Sequence, residues 1–241
     1  MRNVKISVVV LCAAVAAGYG LLRLSKARTF QFFGDIVARV DTEQKAVALT
    51  FDDAPLAADA EVLRLLAREG VRATFYCIGA NIAKDPAAVA AIAAAGHELG
   101  NHTYSHRRMV FKTPGFVARE IERTDALIRA SGYKGAITFR PPYGKKLLAL
   151  PWYLSRHGVT SVTWDLEPDT YFPGDAARIE EYVLNGAAPG SIILLHPLCG
   201  EACAADRAAL PGIIKGLKAR GYAFVTVSQL LALRSAEAAR K

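Results

Sequence analysis

The chain has 241 residues, 52% hydrophobic and 22% charged, enough for one α/β barrel-sized domain plus a short extra segment. It contains no low-complexity tract and no internal repeat of fixed period. The formal net charge is +8, but Arg2, Lys5, Arg23, Lys26 and Arg28 all precede the first acid, Asp35; removing those five leaves +3 for residues 29–241, which gives no support to nucleic-acid binding.

The basic residues bracket Ile6–Leu22, 17 residues without a charge. An N-terminal apolar run with basic flanks reads as a signal peptide or a membrane anchor, with a buried core helix as the alternative. Ala14-Val15-Ala16 offers a small-residue cleavage site. Residues 1–28 are therefore expected to be a targeting segment and residues 29–241 a single domain outside the cytoplasm, membrane-anchored or secreted or periplasmic. The two basic residues before the run and three after it leave its orientation open.

Beyond residue 28, β-rich runs alternate with helical periodicity. Strands are predicted at 45–51, 73–78, 97–102, 136–140, 160–164, 191–196 and 222–227. Helices are predicted at 58–70, 86–96, 115–130, 145–157, 175–187, 206–220 and 228–238. Gly70 and Gly96 follow two of these helices, and Pro86 opens another. Alternating strands and helices imply parallel βαβ units, and continuous apolar strands imply a sheet covered by helices. A barrel and an open doubly wound sheet both fit this pattern. Cys77 reads as a buried small hydrophobe, whereas Cys199 and Cys203, in CGEAC, read as a disulfide or as two free thiols.

Unusual polar residues cluster at the carboxyl ends of the strands, the functional face of α/β folds. These are Asp52-Asp53; His102 and His106; Arg140; Asp165, Glu167 and Asp169; and His196. Two histidines spaced i, i+4 project from one face of a helical turn and can share a metal, with a carboxylate as third ligand. Thr103 follows the first histidine, so no thermolysin-type Glu base is present. The Asp52-Asp53 pair can supply both a ligand and a base, provided a cation or a partner such as Arg140 offsets their repulsion; a helix-cap pair is the bland alternative. Pro141 and Pro142 remove two backbone donors, which leaves the Tyr143 N–H as a donor for an oxyanion. His196 could be a satisfied core histidine, but its position at a strand end favours a general acid.

Together these residues resemble the polysaccharide deacetylase family, also called carbohydrate esterase family 4 or the NodB-homology family, over about residues 34–233. The blocks occur in family order: TFDDAP (50–55), HTYSH (102–106), RPPYG (140–144) and LLH (194–196). The resemblance implies an α/β fold, a distorted (β/α)7 barrel. It implies Asp52 as base, Asp53, His102 and His106 as metal ligands, and Arg140 orienting the base. It further implies the Tyr143 amide as oxyanion donor, His196 as general acid, and Leu194 lining the acetyl pocket, with Pro142 and Tyr171 also touching substrate. Ala54 replaces the usual Gly. Thr170 and Tyr171 occupy the positions of a usual Asp-Trp pair, so Asp169 or Glu167 is expected to tune His196.

The implied activity is metal-dependent removal of N-acetyl groups from a peptidoglycan- or chitin-like polysaccharide, releasing acetate. Zinc is the default cation, and cobalt, nickel and iron also suit the donor set. The alternatives are O-acetyl esterase action on a polysaccharide such as xylan, and a non-catalytic glycan-binding protein on the same fold. The expected partners are an acetylated polysaccharide or oligosaccharide and, through residues 6–22 if uncleaved, a membrane.

Overall fold

A computed structural model describes the backbone of residues 2–238 and the side chains of residue 12 and residues 14–234. Helix α1 (Arg2–Ser25) carries the apolar run. The expected signal or anchor at Ile6–Leu22 falls in part on side chains outside those described. Among the described residues, no helix is long and apolar enough to cross a membrane.

After α1 the chain forms β1 (Ile36–Val37), β2 (Ala46–Ala54), α2 (Asp59–Glu69), β3 (Thr74–Cys77), α3 (Gly79–Lys84), α4 (Pro86–Ala94) and β4 (Glu98–Asn101). Then follow α5 (Pro114–Ala130), α6 (Ala149–Arg156), β5 (Ser161–Val162), α7 (Ala176–Gly186), β6 (Ile192–Leu195), α8 (Ala204–Ala219), β7 (Ala223–Phe224) and α9 (Val227–Ala238). The helix boundaries follow local chemistry. Gly70 takes φ 61 to end α2, Asp85 caps α4 ahead of Pro86 through the Ala88 N–H, and Thr113 caps α5 through the Phe116 N–H.

All strand pairs are parallel. The larger sheet runs β4-β3-β2-β6, with β7 joined to β2, and β1 pairs β5 separately. Single bridges connect the two sheets: Asn101 to Phe139, Phe139 to Ser161, and Leu166 to Ile193. The pairings therefore run in a ring that returns to β6. The strand expected at 136–140 is reduced to the bridge at Phe139, whereas β1 and α3 had no predicted counterpart. Both are too short to show a periodicity.

Side-chain alternation along β2 separates two apolar layers. Val47, Leu49 and Phe51 point outward and pack with Phe75, Leu99 and the helix residues Leu66, Ile92, Val183 and Ile213. Each such fully buried side chain contributes about 1.5–3 kcal/mol. Ala48 points inward, toward Tyr76, Val162, Trp164, Ile192 and Leu194, and Val227 and Leu230 of α9 pack in the same cluster. Continuing the inward set along β2 leads to Thr50 and then Asp52, so the interior turns from apolar to polar toward the carboxyl ends.

Hydrogen bonds link residues 25–28 to the domain expected at 29–241. Lys146 N–H donates to Ser25 O (3.0 Å), and Thr163 Oγ1 donates to Arg28 O (2.7 Å). The Lys146 ammonium, on a side chain that is 1% exposed, donates to Ala27 O. Residues 25–28 are thus built into the domain that follows.

Candidate active site

The ladder between β2 and β3 shifts register between Phe51 and Ala54, so that the Asp52-Asp53 pair holds one extra residue. Asp53 takes φ 69 there, and its carbonyl accepts from Asn81 Nδ2 (2.9 Å). A bulge of this kind re-aims neighbouring side chains. Two adjacent aspartates, which in a regular strand would face opposite ways, here both border the same cleft. The left-handed residue is Asp53 and not Ala54, so alanine at 54 carries no backbone strain.

His102 and His106 leave β4 on a loop, not on the helical turn expected from their spacing. The loop is reversed by left-handed residues at Thr103 (φ 68) and His106 (φ 53). Asn101 Oδ1 accepts the Thr103 N–H (2.8 Å), Thr103 Oγ1 accepts the His106 N–H (3.0 Å), and Glu120 accepts both the N–H and the hydroxyl of Ser105. These bonds bring the two rings to 4.9 Å centroid separation. His102 Nδ1 lies 2.7 Å from Arg140 O, which fixes Nδ1 as the protonated nitrogen and turns the Nε2 lone pair into the cleft.

Asp53 Oδ1 lies 3.4 Å from His106 Nε2 and 3.8 Å from His102 Nε2. One ligand atom from each of the three residues falls within 4.8 Å of the others. The donor set fits a divalent cation. Burial holds both imidazoles below their ordinary pKa, hence neutral with lone pairs free, and Asp53 Oδ1 is buried with no hydrogen-bond partner in the protein. Burial and the neighbouring Asp52 push the Asp53 carboxyl up, a cost that a bound cation offsets. Two histidines and one carboxylate leave coordination positions open, as in catalytic zinc sites.

Asp52, 3% exposed, has a separate partner. Arg140 Nη1 donates to Asp52 Oδ1 (2.7 Å) and to Thr50 Oγ1 (2.9 Å), and Nη2 donates to Thr163 O (3.1 Å). The guanidinium lies 4.1 Å from the Tyr76 ring centroid and is fully buried. Burial works to raise the Asp52 pKa, but opposing charges, Arg140 foremost, outweigh it and hold the carboxyl below its usual value. Asp52 is therefore an ionised acceptor whose other oxygen, Oδ2, lies 3.4 Å from His102 Nε2.

The segment after Arg140 turns sharply. Gly144 N–H donates to Pro141 O (2.9 Å) and Lys145 N–H to Pro142 O (3.0 Å), while the Tyr143 N–H takes no part in these bonds. Tyr143 has φ 60, and its ring lies 4.7 Å from that of His106. Three residues at this cleft, Asp53, His106 and Tyr143, thus hold left-handed backbone without being glycine, a concentration of strain typical of functional sites.

On β6, Leu194 faces the interior and His196 follows on the same side. Asp169 Oδ2 lies 2.7 Å from His196 Nδ1 and also accepts the His196 N–H (3.0 Å). Burial opposes protonation of His196, but the Asp169 hydrogen bond and the surrounding aspartates prevail and raise its pKa to about 9. Glu167, the other expected tuning group, instead accepts from Arg28 (2.6 Å), Trp164 Nε1 (2.9 Å) and Thr170 Oγ1 (3.0 Å). Asp165 ties its loop to β6 through the Ile192 N–H (2.8 Å) and Ser191 Oγ (2.7 Å).

A cleft of about 400 Å³ collects Asp52, Asp53, His102, His106, Tyr143, Leu194 and His196. Two expected substrate contacts fall elsewhere. Tyr171 stacks 5.9 Å from Tyr182 and does not line this cleft, and Pro142 is buried in the turn behind Tyr143. The aromatic wall is Trp164, and Lys26, Arg28, Lys145, Glu167 and Thr170 complete the lining. Trp164 opens the segment that ends in Tyr171 and Arg28 is a basic flank of the apolar run, but nothing local to either residue assigned it to the cleft. A larger cavity, about 580 Å³, lies at the opposite strand ends around His97 and Glu98 and contains no metal-ligating cluster among the described residues.

The polysaccharide deacetylase family model matches residues 39–162. The chain belongs to the polysaccharide deacetylase family. A peptidoglycan-N-acetylglucosamine deacetylase of Bacillus cereus is 35% identical over 186 residues, 76% of this chain and 67% of that protein. A bifunctional xylanase/deacetylase of Pseudobutyrivibrio xylanivorans is 33% identical over 192 residues, 79% of this chain but 31% of that protein. Among solved structures, a peptidoglycan N-acetylglucosamine deacetylase in complex with 4-naphthalen-1-yl-N-oxidanyl-benzamide superposes with TM-score 0.76 at 31% identity, covering 80% of this chain and 91% of that one. As a polysaccharide deacetylase, this chain retains at its cleft a His-His-Asp cluster, a second aspartate held by arginine, and a histidine held by aspartate.

Proposed function

We propose that this protein is a cation-dependent N-deacetylase of a peptidoglycan-like amino-sugar polysaccharide, built on a distorted (β/α)7 barrel and working outside the cytoplasm. The observation that carries the reading is the convergence of Asp53 Oδ1, His102 Nε2 and His106 Nε2 beside a different, arginine-held carboxylate, Asp52. When bound to the three ligands, a divalent cation supplies Lewis-acid polarisation of a carbonyl oxygen and a lowered pKa for water. Zinc is the first choice, with cobalt, nickel and iron compatible with the same donors.

The chain's own groups account for the proton movements. Asp52, kept ionised by Arg140, takes the proton of the attacking water. The Tyr143 N–H donates to the oxyanion that forms on the acetyl carbon. His196, protonated through Asp169, gives its proton to the nitrogen as the C–N bond breaks, yielding acetate and a free amine. Leu194 and Trp164 supply apolar wall for the acetyl methyl.

The location rests on Ile6–Leu22 and its basic flanks, whether retained as a membrane anchor or cleaved, and draws support from the Cys199–Cys203 disulfide. The likeness to a bifunctional xylanase/deacetylase favours a second reading, O-acetyl ester hydrolysis on xylan by the same groups. Acetate release from chitin oligomers, peptidoglycan and acetylxylan, with metal analysis of the same sample, tests both. Release from the N-acetylated polymers is expected. Release from acetylxylan alone would establish the second reading, and no release by metal-replete protein would refute both.

A further inference from the structure

One wall of the cleft is basic in a way that deacetylation does not require. Lys26 and Lys145 both line it, and Arg108 lies beside it with its guanidinium 5.3 Å from the ring centroid of Tyr143. The other charges at the cleft are matched. Arg140 is spent on Asp52, Arg28 on Glu167 and His196 on Asp169. Asp53 belongs to the cation site. Among the described residues, Lys26, Lys145 and Arg108 form no ion pair with an acid. They are close enough to one another that Arg108 and Lys26 both act electrostatically on Lys145.

Like charges gathered at the mouth of a cleft repel unless an anion joins them. Here they are held together by backbone. Ser25 O and Ala27 O, on either side of Lys26, accept from Lys146, the neighbour of Lys145. The N-terminal segment is thereby fixed against the turn after Tyr143, and the two lysines face the same opening. A neutral polymer would leave this wall unmatched.

Resting on the deacetylase reading, we propose that the sugar polymer accepted by this cleft is anionic, and that Lys26 and Lys145 are specificity-determining residues that bind a carboxylate or phosphate substituent next to the acetamido group being cleaved. Substituent charge then governs KM and the rate of encounter, while the bond-breaking groups remain Asp52 and His196.

The test compares acetate release from an N-acetylglucosamine oligomer, its 6-phosphorylated form, a glycan strand with free lactyl carboxylates, and the methyl ester of that strand. The expected result is a preference of about tenfold in kcat/KM for free acid over ester, a few-fold of it carried by each lysine, shrinking as salt is raised. In K26Q/K145Q this ratio should fall toward one, mainly through KM. Each single variant, measured separately, keeps the comparison available should the double variant fold poorly. The phosphorylated oligomer decides the source of the anion: a preference there alone points to phosphate, and one on the acid strand alone to carboxylate. Equal kcat/KM for charged and neutral forms in the unaltered protein, or a charge preference that survives both substitutions, would overturn the proposal while leaving deacetylation intact. Absence of acetate from every substrate would instead overturn the deacetylase reading itself.

Discussion

Asp169 Oδ2 grips His196 at two points, the ring Nδ1 at 2.7 Å and the backbone N–H at 3.0 Å. The single carboxylate oxygen fixes both the ring orientation and the charge of the imidazole. It is also the largest of the influences that lift the His196 pKa to about 9 against the opposing effect of burial.

Removing that grip should move the pH profile. His196 must be protonated to donate, so kcat falls as pH rises through its pKa. In Asp169→Asn the raising influence is lost, and the alkaline limb of the kcat profile should shift to lower pH. His196→Ala should cost more on N-acetyl than on O-acetyl substrates, because an amine needs the donated proton more than an alcohol does. Profiles that superimpose for Asp169→Asn and the unaltered protein would remove Asp169 from this role.

The two adjacent aspartates should separate in their effects. Asp52→Asn retains Asp53, His102 and His106, so bound metal should stay while kcat falls by about 10²–10⁴-fold, the usual cost of losing a general base. Asp53→Ala and His102→Ala should lose most of the metal, because each removes one of three protein ligands. Elemental analysis alongside turnover checks both. Metal lost from Asp52→Asn and kept in Asp53→Asn would exchange the roles.

His97 should make the fold sensitive to mild acid. Its Nδ1 accepts the Ala73 N–H (3.2 Å), a bond that protonation would break. Burial first, and then Arg72, lowers its pKa from 6.5 to about 4. A depressed histidine pKa means that the unfolded chain binds the proton more readily. This contribution to stability is complete above pH 6.5 and is lost progressively as pH falls toward 4. His97→Gln keeps an acceptor that does not titrate, so urea midpoints between pH 7 and 4.5 should fall less steeply than in the unaltered protein. Equal slopes would contradict the assignment.

Truncation should reveal where the domain begins. Deleting residues 2–22 leaves the contacts of Ser25, Ala27 and Arg28 in place. Deleting through residue 28 strips the acceptor from the buried Lys146 ammonium, leaves Thr163 Oγ1 only the longer bond to Val37 O (3.4 Å), and leaves Glu167 without Arg28. Each buried polar group left unpaired costs about 1–3 kcal/mol, so the longer deletion should lower the urea midpoint markedly and the shorter one little. Similar midpoints for both would show that residues 25–28 are dispensable.

Location has its own checks. A reporter fused after Lys241 should be active outside the cytoplasm, and activity confined to the cytoplasm would count against the targeting role of Ile6–Leu22. Thiol counting on full-length, denatured, unreduced protein should find Cys12 and Cys77 reactive and Cys199 and Cys203 not.

Sequence order alone determined much of this protein. The seven predicted helices all have counterparts, because caps, prolines and 3.6-residue periodicity are local signals. Asp52, Asp53, His102, His106, Arg140 and His196 were legible because strand ends and short ordered motifs place them regardless of what packs around them. Tertiary structure decided the rest. It placed the Asp52-Asp53 bulge, replaced an expected helical turn by a loop with left-handed residues at 103 and 106, and reduced a predicted strand to the bridge at Phe139. It also chose Asp169 over Glu167, Trp164 over Tyr171, and brought Lys26 and Arg28 to the cleft. The physical reason is the same in each case: hydrogen bonds and charge contacts act between atoms a few ångströms apart, and residues 28 and 167, or 169 and 196, come within that distance only when the chain has closed its ring of parallel strands.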